Sequence, residues 1–416
     1  MNKEEYNLSL RSFFSVVGLP GFILLMRSLI MALISRQRSF SEATAVDASA
    51  SIQILLAVLA FGAGVYYFFR NPRLRVLLFD SPLKWFIVYT LWCAATALWS
   101  VNGKLSLYRA FEVLAWTLLL SALLTHLIER LSVYQVITWV LYYAVFDILT
   151  NIFISSLRYG IPLFSIATLA NEQFRSTTFF FLALLIPVGW LIKIIILPIS
   201  IFSLSNTAYA GIAGGLVPLV FEKGRWRRII IMTGIIVLIA ISAVGVEKVL
   251  LQTIFYGHTG IGSEYTTGRD KIFDAAMQNA IENPWLGKGF VAGEMGVIKL
   301  RSTLMSVHNG FLSALVGTGL IGLFFLIIFF IRLFLCAGSK YLPPELKITF
   351  FSSVILITVH TLGNPGIGAR VYGTWLPAML VATLICVVQQ YYKQEAYNIQ
   401  TFQEDMGKLR STLDLQ

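Results

Sequence analysis

Three side chains in this sequence are of a type, and in a position, that could bind an anionic substrate or exchange a proton with a substrate. Arg269 follows Gly268 at the start of a predicted helix, where free backbone N–H groups also favour anions. Arg175 lies at the end of one long apolar run, and His308 lies just inside the end of another. An arginine fork binds anionic oxygens through two parallel hydrogen bonds, and a histidine exchanges a proton near neutral pH. Taken alone, Arg269 is also typical of a surface arginine and Arg175 of a side chain that anchors a span at the membrane surface. His308 alone is typical of an interfacial polar residue.

Four further polar residues lie near the ends of apolar runs. Arg109 and Glu112 are one helical turn apart and are expected to pair with each other. Arg370 is another cation beside a predicted span, and Asn309 is expected to orient His308 or to cap the helix that follows it. Arg109 and Arg370 could add positive charge to an anion site.

Two charged residues fall within apolar runs rather than at their ends. An acid inside a membrane is a functional candidate by default, but for Asp147 we favour a structural bond to another helix. For Arg27 we favour burial or snorkelling toward the membrane surface.

The composition indicates that this chain folds in a lipid bilayer rather than in water. Hydrophobic residues make up 57% of the 416 residues, charged residues make up 13%, and the mean hydropathy is +0.76. A chain this apolar requires a bilayer, in which helices satisfy their own backbone, so we predict an all-α polytopic membrane bundle. The net charge of +11 fits basic cytoplasmic loops, and no soluble basic domain is present to bind nucleic acid. Cys93, Cys336 and Cys386 lie in or beside apolar runs without metal-ligand or pairing spacing, and we interpret them as small hydrophobic residues.

Loop charges decide how the awkward stretch 194–221 crosses the membrane. Basic loops at 70–84 and near 223–228 mark the cytoplasmic side, so an even number of crossings must separate them. Four clear spans lie between these loops, and the centre of 194–221 is polar. We therefore predict two short helices there, at 194–204 and 206–221.

This reasoning gives about twelve spans with both termini cytoplasmic. It divides the chain into an N-terminal transmembrane bundle (1–246), an extracytoplasmic loop (247–305) and C-terminal transmembrane helices with a cytoplasmic tail (306–416). The predicted spans are 12–34, 51–69, 85–100, 108–127, 134–156, 176–192, 194–204, 206–221, 228–246, 306–331, 346–363 and 371–391.

The loop 247–305 is the single long hydrophilic insertion, and part of it has a helical pattern. A helix is predicted between Gly268 and Pro284, with a turn-rich piece, 286–290, after it. His308 and Asn309 then open the next span. The apolar face of the loop helix is predicted to consist of Ile272, Phe273, Ala276, Ala280 and Ile281.

Four short motifs, in order within residues 268–322, carry a family resemblance. They are Gly268-Arg269, the segment Glu282-Asn-Pro-Trp-Leu-Gly-Lys-Gly-Phe290, His308-Asn-Gly-Phe-Leu312 and Gly319-Leu-Ile-Gly322. Their order on a loop between spans resembles the O-antigen ligase and polymerase superfamily. The resemblance is close over 265–322 and loose over 80–390.

Two upstream segments extend the resemblance. Arg175-Ser-Thr-Thr-Phe179 is similar to the family's arginine at the mouth of a span. Ser205-Asn206 is similar to its Ser-Arg pair on broken helices, although this chain has asparagine where the family has arginine.

The resemblance implies a function. Members of this family join a glycan carried on undecaprenyl pyrophosphate to an acceptor hydroxyl, with arginines holding the pyrophosphate and a histidine as general base. It implies His308 as that base and requires no metal ion or other cofactor, because arginines supply the electrostatic stabilisation. The substrate-binding residues on its motifs are Arg175, Arg269 and Asn309. We add Arg109 and Arg370 as substrate-binding candidates because they are cations near the ends of predicted spans.

The resemblance leaves the acceptor open. A polymerase adds the glycan to another lipid-linked repeat unit, which is the interpretation we favour, whereas a ligase adds it to lipid A–core. Other polysaccharide assembly proteins are a further class of partner. In either case we expect a bacterial inner-membrane enzyme with a periplasmic site. A transporter or flippase is the alternative from another class, although no internal repeat is visible.

Overall fold

The computed structural model describes residues 16–34, 48–159, 175–201, 206–221, 269–299, 307, 309–364, 366–369, 371 and 374–413. These residues are helical and contain no β-strand, apart from an isolated bridge between Ile367 and Ala369. The all-α class predicted from composition is therefore confirmed. The helices are α1 (Gly18–Ile34), α2 (Ala48–Arg70), α3 (Pro72–Asp80), α4 (Leu83–Ala95), α5 (Gly103–Ile128), α6 (Val133–Tyr159), α7 (Phe180–Leu185), α8 (Trp190–Ile201), α9 (Asn206–Phe221), α10 (Arg269–Glu282), α11 (Ala292–Lys299), α12 (Gly310–Ala337), α13 (Pro344–Gly363) and α14 (Trp375–Leu413).

Within the described residues, six helices are long and apolar enough to cross a membrane: α2, α5, α6, α12, α13 and α14. A seventh span is possible if α3 and α4, which meet at an angle of 77°, count as one. The chain is thus a multi-pass membrane protein, but the predicted number of about twelve spans is not confirmed. The predicted span 228–246 lies outside the described residues.

The predicted span 176–192 is wrong as a continuous helix. The helix α7 ends at Leu185, and Ile186 is extended, with φ −81° and ψ 138°. Pro187 explains this break, because a proline ring clashes with a helical conformation of the residue before it. A new helix, α8, begins only at Trp190.

The two short helices predicted within 194–221 are confirmed as α8 and α9, although α8 occupies Trp190–Ile201 rather than 194–204. The Tyr209 hydroxyl of α9 donates to the Ile201 carbonyl at 2.9 Å, which satisfies an acceptor at the end of α8. Small residues let α9 pack closely against its neighbours: a Cβ on Gly215 would overlap the Phe181 ring.

Contacts at the two ends of α5 show which segments lie at each end of the bundle. Near its start, the Ser106 hydroxyl donates to the Phe290 carbonyl at 2.8 Å. Just past its end, Glu129 accepts from the Asn71 side chain at 3.0 Å and lies 3.8 Å from Arg73. The basic segment 70–84 and the helices α10 and α11 therefore lie at opposite ends of a helix about 39 Å long, which is the arrangement that the loop charges predict.

Helix α12 is broken at Gly319, which has φ 67° and ψ −170°. A break in a membrane helix frees backbone N–H and C=O groups that hydrocarbon cannot satisfy. Here the segment Pro284–Phe290, called the docked turn below, supplies their partners. The four bonds are Lys288 N to Val316 O (2.9 Å), Gly289 N to Gly317 O (2.9 Å), Leu320 N to Pro284 O (2.7 Å) and Ile321 N to Trp285 O (3.5 Å).

Two tryptophans from the α4 region add to this contact between the docked turn and the break in α12, which is called the joint below. The Trp92 indole donates to the Thr318 carbonyl at 2.9 Å, and the Trp99 indole donates to the Leu286 carbonyl at 3.1 Å. The break in α12 is thus bonded on one side by the docked turn and on another by the Trp92 side chain.

Glycine is required at both faces of the joint. Gly319 and Gly287 have positive φ, of 67° and 66°, which costs an L side chain about 1–2 kcal/mol. A Cβ on Gly287 would also come within 2.6 Å of the α12 backbone, and one on Gly319 would overlap the Trp285 carbonyl. Two motifs that were matched separately in the sequence, those of Gly287 and Gly319, are therefore the two halves of one contact.

We expect Gly319→Ala and Gly287→Ala each to lower stability by at least about 2 kcal/mol, from positive-φ strain plus overlap. The measurement is the thermal unfolding midpoint of the purified protein in detergent. Gly62→Ala is the matched control, because a Cβ there meets nothing within 4 Å. Equal midpoints for the control and the joint variants would show that the joint does not hold the fold.

Candidate functional site

A buried carboxylate holds the backbone just before α12. Glu294 is 4% exposed and accepts hydrogen bonds from the Val307 amide at 2.8 Å and the Ser313 hydroxyl at 3.1 Å. Val307 immediately precedes His308, which itself lies outside the described residues. Glu294 therefore fixes the backbone position next to the predicted base.

The residue on the other side of His308 is also fixed. Asn309 is the N-cap of α12, and its side chain accepts from the Leu312 amide at 2.9 Å. The capping role considered from the sequence is confirmed, whereas a contact of Asn309 with substrate stays a prediction.

The start of α12 contacts the segment that leads to Arg370. The Gly310 amide donates to the Asn364 carbonyl at 3.1 Å, and a Cβ on Gly368 would come within 2.7 Å of the Gly310 carbonyl. Arg370, like His308, lies outside the described residues, but the backbone two positions from each is in mutual contact. Tyr89 strengthens this arrangement, because its hydroxyl donates to the Gly368 carbonyl at 2.7 Å.

Helix α10, which carries Arg269 at its first position, packs near the start of α12. The helix begins at Arg269, and Ile272, one turn later, is buried in a cluster with Val307 and Val316. The predicted loop helix is thus confirmed. Nothing in the structure describes the Arg269 side chain, so its role stays a prediction.

The prediction that Ile281 belongs to the apolar face of α10 is wrong. Ile272, Ala276 and Ala280 are buried, but Ile281 is 72% exposed. At about 100° per residue, Ile281 lies on the opposite side of the helix from Ile272.

A charged cluster lies one turn along α5 from Ser106. Arg109 pairs with Glu112 at 2.7 Å, and Arg175 Nε lies 3.7 Å from Asp147 Oδ2. Arg27 stacks over the Trp116 ring at 4.8 Å, within electrostatic range of Asp147, Glu112 and Arg175. The partner that we expected for Asp147 is therefore Arg175, from the start of a different helical segment. The residues of this charged cluster are Arg27, Arg109, Glu112, Asp147 and Arg175.

The charge balance of this cluster favours an anion. Among the residues that the structure describes, three guanidinium groups of this cluster face two carboxylates, which leaves one net positive charge in a setting that is largely shielded from water. Arg109 Nε is buried and finds no hydrogen-bond acceptor among the described residues. A pyrophosphate oxygen is the kind of acceptor that such a group takes.

Glu294 is the site residue that the sequence reasoning missed. It is the only charged residue in the segment Phe290–Ile298, which is otherwise apolar apart from glycine. That isolation was the available signal. Burial of Glu294 and its two bonds show that the charge is structural to the start of α12.

These features together define a class: a multi-pass helical membrane protein in which a hydrophilic segment docks into a broken span beside an arginine-rich cluster. Residues 191–327 match the family model described as O-antigen ligase. This match confirms the resemblance and supports an O-antigen ligase or polymerase type of membrane enzyme. It covers the docked turn and both sides of the break in α12, but not Arg109, Asp147 or Arg175. No curated protein matches the chain.

The pair between Asp147 and Arg175 gives a testable stability prediction. Asp147→Asn leaves a mostly buried guanidinium without its counter-charge, and we expect a loss of about 1–3 kcal/mol. Arg175→Gln should cost about as much, and the double variant less than the sum of the two. Thermal unfolding of the four proteins measures the coupling.

The control for this cycle is Glu129→Gln. Its pair with Arg73 is exposed and 3.8 Å long, so we expect a change of less than about 1 kcal/mol. Additive effects of Asp147→Asn and Arg175→Gln would mean that the two residues do not interact.

Proposed function

We propose that this protein is a membrane glycosyltransferase that transfers a glycan from undecaprenyl pyrophosphate to an acceptor hydroxyl, polymerising the repeat units of a surface polysaccharide. The observation that carries the proposal is the meeting of three sequence positions at the start of α12. The backbone flanking His308 contacts the backbone flanking Arg370, and the helix that begins at Arg269 packs against both Val307 and α12. The match of residues 191–327 to the O-antigen ligase model supports the same chemistry.

The reaction forms a bond between the acceptor oxygen and the anomeric carbon of the donor glycan. The bond between that carbon and the pyrophosphate oxygen breaks, and its electron pair leaves with the pyrophosphate. His308 takes the acceptor proton as general base. Arg175 and Arg269 hold the negative charge that grows on the pyrophosphate, and we expect the two side chains to converge on one outward-facing cavity.

The arginines are expected to act together rather than singly. Arg109 adds a guanidinium with a buried N–H that has no acceptor among the described residues. Arg370 lies outside the described residues, and we expect it to add a further positive charge beside the start of α12. Asp147 and Glu112 orient Arg175 and Arg109 while they reduce the net charge. We propose that this arginine set replaces a metal ion.

The acceptor separates polymerisation from ligation. The description of the matching family as O-antigen ligase favours transfer to lipid A–core as the second candidate. In vitro transfer from a purified undecaprenyl-pyrophosphate glycan, offered lipid A–core and a second lipid-linked unit as rival acceptors, decides between them. Longer lipid-linked chains would support the polymerase, and glycosylated lipid A–core would support the ligase. We expect activity to persist in excess EDTA.

His308→Ala should lower transfer by about 100-fold or more, which is the usual contribution of a general base. Polymer should disappear in cells while lipid-linked units still reach the outer leaflet. His126→Gln is the control, because His126 lies near the far end of α5 from Ser106, about 30 Å away. Retention of the units in the cytoplasmic leaflet would instead favour a transporter or flippase.

Glu294 gives a prediction that separates positioning from folding. Glu294→Ala leaves the Val307 amide and the Ser313 hydroxyl without their acceptor, and we expect turnover to fall at least about tenfold while KM for the donor stays unchanged. Glu294→Gln keeps one acceptor oxygen and should recover most of the turnover. Full turnover in Glu294→Ala would show that Glu294 does not position the site.

A further inference from the structure

Helix α14 is far longer than a membrane span. Helix α14 runs from Trp375 to Leu413, 39 residues, or about 58 Å. A hydrocarbon core about 30 Å thick takes only about 20 of these residues. The helix is buried through Val388, and nearly every residue from Lys393 to Met406 is exposed.

The exposed part leaves the bundle at the end opposite the docked turn. Gln390 and Tyr391 line one small cavity with Arg73 and Ile128, which lie at the far end of α5 from Ser106. Residues 393–413, called the C-terminal tail below, therefore extend past the end of the bundle that carries the basic segment 70–84.

The C-terminal tail has a coiled-coil pattern. Ile399, Phe402 and Met406 are spaced by three and four residues and are 59%, 67% and 44% exposed. In the sequence, Leu409 and Leu413 continue the same spacing. This is the a/d repeat of a heptad, in which an apolar seam meets the same seam of a partner helix.

We propose that the C-terminal tails of two copies of this chain pair as a parallel two-stranded coiled coil. The parallel direction follows from the membrane: two copies inserted with the same orientation send their tails out on the same side. In this register Asp405 occupies a g position, and Arg410 occupies the e position of the following heptad. In a parallel dimer these two positions face each other across the interface, so the charges are complementary.

A lipid surface is the competing occupant of this seam, and the tail fits it less well. Helices that lie on membranes carry an excess of lysine and arginine on the polar face. The charges of the tail balance instead, with Lys393, Lys408 and Arg410 against Glu395, Glu404 and Asp405. Moreover, α14 is one unbroken helix through Leu413, so the tail continues the direction of the span rather than bending onto the bilayer.

The first test is the mass of the full-length protein in detergent, measured by light scattering across a dilution series. We expect two copies per particle, and Phe402→Asp should raise the dissociation constant at least about tenfold. Tyr397→Asp is the matched control, because Tyr397 is 69% exposed but lies off the seam. A monomer at every concentration, or equal effects of the two substitutions, would overturn the proposal.

The second test reads the register. Ile399→Cys should form an intermolecular disulfide in native membranes, and Thr401→Cys, on the outer side of the tail, should not. The natural cysteines Cys93, Cys336 and Cys386 are buried in the bundle. Asp405→Arg and Arg410→Asp should each weaken pairing, and the double exchange should restore it. Equal cross-linking at positions 399 and 401, or no recovery in the double exchange, would rule out this coiled coil. Neither test depends on enzymatic activity.

Discussion

The hydrogen bonds between the docked turn and the broken helix α12 are the constraint on which the remaining structure depends. A membrane helix can be interrupted only where other protein groups satisfy its freed backbone. Residues 284–289 do this for the residues on both sides of Gly319. Because the same segment follows α10 and precedes α11, the joint also fixes where these two helices lie. The Lys288 ammonium adds to it by bonding Asn279 and Glu282 of α10.

Two hydrogen bonds of Phe290 connect the joint to the part of α5 that carries the charged cluster. The Phe290 amide donates to the Thr96 hydroxyl, and the Phe290 carbonyl accepts from Ser106, one turn before Arg109. Helices α10 and α11 and the arginines of the charged cluster, which are far apart in the sequence, thus share a rigid frame. Rigid support of this kind is what an arginine-based site needs, because fixed charges stabilise a developing anion without reorganising during the reaction.

The sequence predicted those features that depend on neighbouring residues. Helix α10 between Gly268 and Pro284, the Asn309 cap, and the division of 194–221 into two helices all follow from local signals, and the structure has them. The break before Trp190 also has a local signal in Pro187, but the hydropathy of 176–192 alone predicts one continuous span.

The remaining features arise from distant contacts. Gly319 lies in an uninterrupted apolar run, so composition alone predicts a continuous helix there. The break is stabilised by the docking of residues 284–289, about thirty positions away in the chain, and by the still more distant Trp92 indole. Likewise, the burial of Glu294 depends on Val307 and Ser313 rather than on its own neighbours.

The break at Gly319 also divides α12 by depth. Residues 320–337 alone measure about 27 Å, which nearly matches the hydrocarbon thickness, so residues 310–318 are free to stand in the headgroup layer. Under the proposed function, a sugar acceptor then never has to shed its hydration to reach the start of α12. The lipid carrier stays in the bilayer, and only its pyrophosphate rises to meet the acceptor. Under that function, the backbone conformation of Gly319 sets the depth in the membrane at which the hydrated acceptor and the lipid-linked donor meet.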